Sequence, residues 1–181
     1  MIATLFGRKK MAEEKLANVF VNAILELSAE GFPMVAAELN ESPEFSVRPR
    51  IETEDDGLFA RIILAGNLME VPRYLESGRD RRVFSLAISK FGQATDQRCS
   101  DLELEVLALQ QFMERANQPS KNTVYAMSKA VFHKYDLFRY QDAYFRGLKA
   151  PNPIVLKRLN QLMGYFLWNW EEFMTEYRIT N

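Results

Sequence analysis

Three arginines are the first residues in this chain whose types and spacing suggest chemistry. Arg48 and Arg50 stand two apart in Phe45-Ser46-Val47-Arg48-Pro49-Arg50-Ile51, and Arg61 follows in Leu58-Phe59-Ala60-Arg61-Ile62-Ile63-Leu64. In an extended segment, residues two apart share a face. A hairpin joining the two runs would therefore set Arg48 and Arg50 beside Arg61, with Ser85 and Ser89 on a third run nearby. Guanidinium forks match carboxylates and phosphates, so such a set implies a small anionic ligand or an acidic peptide. A solvated sheet face balanced by Glu52 and Glu54 accounts for the same residues without a ligand.

The inventory for catalysis is thin. His133 is the one histidine and Cys99 the one cysteine, which rules out a Cys/His zinc site. His133 sits among aromatics in Phe132-His133-Lys134-Tyr135, and neither Asp136 nor Asp142 completes a triad with it. Glu103 and Glu105 are two apart, Glu171 and Glu172 adjacent, and no Glu-x-x-His occurs, so a carboxylate-bridged di-metal bundle lacks its spacing. Gly-x-Gly-x-x-Gly, the phosphate-binding Gly-Lys-Ser/Thr loop and Gly-x-Ser-x-Gly are also missing. The expectation is a protein without metal or cofactor, and more a binder than an enzyme.

The elements that would hold these residues follow from apolar periodicity. Leu16, Val19, Phe20, Ala23, Ile24 and Leu27 mark an amphipathic helix over 10–30, closed by Gly31-Phe32-Pro33. Alternation then begins at Phe45. With Asp55-Asp56-Gly57 as the turn and Leu58–Leu64 as the return, it predicts a β-hairpin, Pro49 making the first strand an edge. Residues 82–91 fit a third strand through Phe84, Leu86 and Ile88, although Val83, Ala87 and Phe91 also fit a helical stripe. From residue 100 the spacing is helical, with breaks at Asn117-Gln118-Pro119-Ser120, near Asp136, and at Pro151-Asn152-Pro153.

The predicted fold is therefore α+β. A small antiparallel sheet of about three strands over residues 45–91 packs with an N-terminal helix and three or four C-terminal helices. A mostly α fold with one hairpin is the alternative. The order helix, three short strands, helix over about the first 115 residues is similar in outline to the secretion-chaperone-like α+β folds, a likeness of layout that carries no function.

The last thirty residues hold the longest apolar seam: Leu156, Leu159, Met163, Phe166, Trp170, Phe173 and Tyr177, at spacings of three and four. A core helix and a partner surface both produce that pattern. Trp168 lies off the seam, so Phe166, Trp168 and Trp170 are the candidate interaction residues.

Composition sets the outer bounds. The 181 residues suit one domain, read as 11–181 behind a flexible arm of residues 1–10. Twenty-three basic against twenty-four acidic residues give a net charge of −1, which disfavours bulk nucleic-acid binding. A lone cysteine and no evident membrane span or secretory signal point to the cytoplasm. Ile2, Leu5 and Phe6 ahead of Arg8-Lys9-Lys10 suggest at most weak membrane-peripheral contact. The function expected is protein binding or self-association through an apolar helix face. The alternatives are an anionic-ligand site at Arg48, Arg50 and Arg61, and membrane contact through residues 2–10.

Overall fold

The structure is a computed structural model and describes residues 7–118 and 121–181. It is mostly helical. Strand β1 (Lys9–Ala12) leads into α1 (Glu13–Glu41), and α2 (Gly57–Glu70), α3 (Arg79–Ala94), α4 (Cys99–Ala116) and α5 (Thr123–Lys134) follow. Short α6 (Ala143–Leu148), α7 (Pro153–Met163) and α8 (Trp170–Glu176) lead to strand β2 (Tyr177–Thr180).

Helix α2 stands at the centre, packed against α1, α4 and α5. Ile62, Ile63, Leu64, Ala65, Gly66, Asn67 and Leu68 are all buried, so this helix has no wet side. A helix enclosed all round shows no polar stripe. Helix α1 lays Leu16, Phe20, Ile24, Phe32, Val35 and Leu39 against α3 and α2. It is also long and apolar enough to cross a membrane by length and composition alone, although these buried residues belong to the shared core.

Three expectations are corrected here. No hairpin forms over residues 45–64: the stretch before Gly57 is irregular and Leu58–Leu64 lies inside α2. Residues 82–91 are helix α3, whose buried residues Val83, Ala87, Ile88 and Phe91 follow the helical stripe. The sheet is two-stranded and parallel, pairing Lys9 with Tyr177 and Met11 with Ile179. The three-stranded antiparallel sheet is therefore not found, and the outline likeness to the secretion-chaperone-like folds goes with it. Every second residue of a strand faces one side, and here Met11 and Ile179 are the buried ones.

The arm expected over residues 1–10 is tied down from Arg8. Arg8 Nη1 donates to the Met174 carbonyl at 3.2 Å, and Lys9 and Lys10 belong to β1. Ile2, Leu5 and Phe6 lie outside the described residues. Helix α1 runs through Gly31-Phe32-Pro33 to Glu41, because Pro33 removes one helical hydrogen bond while Phe32, Val35 and Ala36 bury around it.

Four residues of the terminal seam are buried and Leu156, Phe173 and Tyr177 are half-buried, but the seam is not one helix. Leu159, Met163, Phe166 and Trp170 all face the core, yet α7 tightens into a 3-10 turn at Gly164–Phe166, and the chain leaves helical geometry before α8. Asn67 on α2 explains the break. Its Nδ2 donates to the carbonyls of Ile63 and Phe166 at 2.9 and 2.8 Å, and its Oδ1 accepts the Trp168 amide at 2.6 Å. One buried amide thus takes up the backbone groups that leave the helix. Tyr177, the last residue of the seam, lies in β2.

Candidate binding surface on the fourth helix

The predicted arginine set is not assembled. Arg61 lies in α2 and donates from Nε to Glu105 Oε1 on α4 at 2.8 Å. Arg48 and Arg50 are exposed in the irregular segment before α2. That segment is pinned elsewhere: Ser46 N–H donates to the Tyr140 carbonyl at 2.8 Å, and Asn40 exchanges two 2.9 Å bonds with the Ile51 backbone. With no hairpin, the alternation that would have aligned the three guanidiniums has nothing to act on. Near Arg61, burial pushes the Tyr135 phenol well above its ordinary value; Asp55 adds to the shift and Arg61 opposes it.

Phe166 and Trp170, expected as interaction candidates, are instead internal. Trp170 packs on Phe20 at 5.2 Å between centroids and Phe166 on Phe59 at 4.9 Å. Trp168 is half-buried, its ring edge-on to Phe20 at 5.9 Å and near Phe173 at 5.6 Å. His133 is exposed and stacks on Phe112 at 4.8 Å.

The apolar helix face that remains open is on α4. Its inner face is Leu102, Val106, Leu109 and Met113, all buried. At 100° per residue, Leu104, Leu107, Ala108 and Gln111 centre about 180° away from that face. Leu104 is 69% exposed and Leu107 39%. The helix thus carries two apolar stripes, and the fold uses one.

Beside the outer stripe runs a groove of about 470 Å³. Glu103, Leu107, Gln110 and Glu114 form the α4 wall at spacings of four, three and four, which keeps them on one side. Asp80, Arg81, Phe84 and Ser85 form the α3 wall, and Leu68, Met69, Val71 and Pro72 the floor. Gln110 is fixed by donating to the Ala65 carbonyl at 3.1 Å. Asp80 is occupied with the Gly78 and Arg81 amides at the start of α3. Among the described residues Glu103 and Glu114 make no ion pair, so two free carboxylates border an apolar trough.

A second exposed surface has the opposite sign. Helix α6 buries none of its residues and presents Tyr144 at 69% and Leu148 at 57% exposure. Asp142 caps it, accepting the Phe145 amide at 3.0 Å, and Lys149 ends it in the left-handed region at φ 50°. Arg146 and Lys149 make no ion pair among the described residues. The neighbouring Tyr140 carbonyl anchors the segment carrying Arg48 and Arg50.

Neither surface was anticipated from the sequence. The signal for the first was present: Leu104 and Leu107 are apolar at positions where a one-faced helix would be polar. Comparison of the chain with protein-family models, curated proteins and solved structures returns no match.

Proposed function

We propose that this chain is a non-enzymatic protein-binding domain, and that it binds through the outer face of α4 and the groove between α3 and α4. The reading keeps the expected apolar helix face and moves it from the terminal seam, which is internal, to α4. The observation that supports it most is the second stripe of α4. Leu104 and Leu107 stand in the open on a helix whose inner face already serves the core. An isolated exposed leucine is ordinary, whereas a stripe beside a concave apolar trough is what a partner surface looks like. The rim of Glu103 and Glu114 favours a partner carrying positive charge.

Site-specific photo-cross-linking tests this reading. A photoreactive amino acid at position 104, in the full chain expressed in its own cells, should give a discrete adduct of higher mass with another polypeptide. The same group at Gln93, exposed on α3, is the comparison. Position 104 giving no more adduct than position 93 would overturn the proposal.

A further inference from the structure

We infer that the cavity where the ends of α2 and α4 meet the start of α5 is a binding site for a small zwitterion of the free amino-acid class. It holds about 350 Å³, at the small end of ligand pockets. Its floor is polar although it lies deep: Glu70, Asn117 and Thr123 all line it, and each is buried. Glu70 is the last residue of α2 and Thr123 the first of α5. The Thr123 hydroxyl donates to Glu70 Oε1, and Arg73 Nη1 donates to Glu70 Oε2 at 2.6 Å. A carboxylate taken out of water is costly unless it is paired and hydrogen-bonded, and these two bonds meet that need. A tie between α2 and α5 alone does not require the charge, since a neutral amide in place of Glu70 accepts the same hydroxyl hydrogen.

The rim is charged and divided in sign. Glu114 on α4 and Lys121 ahead of α5 line the same cavity, yet neither makes an ion pair among the described residues. The Lys121 amide donates to the Asn117 carbonyl at 3.2 Å, which anchors this part of the rim to the floor. Arg73 spends Nη1 on Glu70 and its side chain is 55% exposed, so Nε and Nη2 remain to donate.

Two acids and two bases thus border one cavity. Glu114, with Glu70 behind it, accepts from an ammonium, while Arg73 and Lys121 donate to a carboxylate. A simple anion satisfies the two bases and is opposed by the two acids; a simple cation has the reverse fault. A molecule that carries both charges a few bonds apart satisfies all four groups. Glu114 borders this cavity and the α3–α4 groove alike, but the site does not depend on the reading of α4 as a protein-binding surface.

Calorimetric titration of the full chain with the common L-amino acids, one at a time near neutral pH, tests the inference. At least one should bind with a Kd below about 1 mM, as a few charge-assisted contacts allow. Its N-acetyl derivative, which lacks the ammonium, and the corresponding amine, which lacks the carboxylate, should each bind at least about tenfold more weakly. Glu114→Gln and Lys121→Gln should each weaken the intact ligand about tenfold. Both positions are exposed, so the variants keep the fold. The amide resonances of Lys121 and Thr123 should shift on binding. Failure of every amino acid to bind below about 1 mM would overturn the inference. So would either derivative binding within about tenfold of its parent, which removes the zwitterion. Binding that both variants leave unchanged would place the ligand elsewhere and overturn the site.

Discussion

The ring of Phe166 occupies the space that a side chain on Gly31 would need: a Cβ there would lie 2.5 Å from both Cε1 and Cζ of the ring. Phe166 is buried against Phe59 on the central helix, so it has little room to retreat. Gly31→Ala improves helix propensity by up to about 1 kcal/mol in an open helix. Here overpacking outweighs it, and equilibrium unfolding should show a net loss of about 1–3 kcal/mol. A stabilised variant would mean that the 3-10 turn at Gly164–Phe166 shifts freely.

Asn67 is the buried polar group on which the turn out of α7 depends. Replacing it with leucine keeps approximate volume but leaves the Phe166 carbonyl and the Trp168 amide without their partner. Each buried group left unpaired costs about 1–3 kcal/mol. The variant should lose stability accordingly, and amide exchange should rise at Trp168. Unchanged exchange there would show that another group holds the segment.

Glu13 gives the chain a defined response to acid. Hydrogen bonding from Arg82 holds its carboxyl below the ordinary carboxylate range, and Arg79 adds to this while burial opposes it. Arg82 donates from Nε and Nη2 at 2.8 Å each, and Arg79 from Nε at 3.0 Å. A depressed folded-state value means the stabilisation is fully present above the unfolded-state value and is lost as pH falls through the folded one. Between neutrality and pH about 5, wild type should therefore exceed Glu13→Gln by a constant margin, which closes as the carboxyl protonates below the ordinary range near 4.3. A margin that stays constant down to the folded-state value would contradict the ion-pair account.

The sequence showed those helices whose surroundings are uneven, and hid those whose surroundings are uniform. Helices α1, α4 and α5 each have one wet side, so spacings of three and four stand out. In α2, Ile62 to Leu68 touch protein in every direction, and adjacent isoleucines read as strand. Residues 82–91 satisfied both periods, and only packing against α1 decides for helix. The parallel pairing of Lys9–Ala12 with Tyr177–Thr180 joins segments far apart in the chain, which no local pattern announces. The seam from Leu159 to Trp170 was legible as burial but not as geometry, because Asn67, about a hundred residues away, redirects the backbone. The arginine site failed with the hairpin that was to assemble it, whereas the outer stripe of α4 was written in Leu104 and Leu107.

The central claim is that α4 keeps one leucine stripe for the fold and another for a partner, and paired truncation measures it most directly. Leu109 is fully buried on the inner face, and Leu104 is exposed on the outer one. Both lie inside the same helix, where alanine is the best helix former, so propensity works against neither substitution. By equilibrium unfolding, Leu109→Ala should cost about 2–5 kcal/mol, and Leu104→Ala should fall within about 0.5 kcal/mol of wild type. A Leu104→Ala loss as large as that of Leu109→Ala would place the outer stripe in the service of the fold and contradict the account.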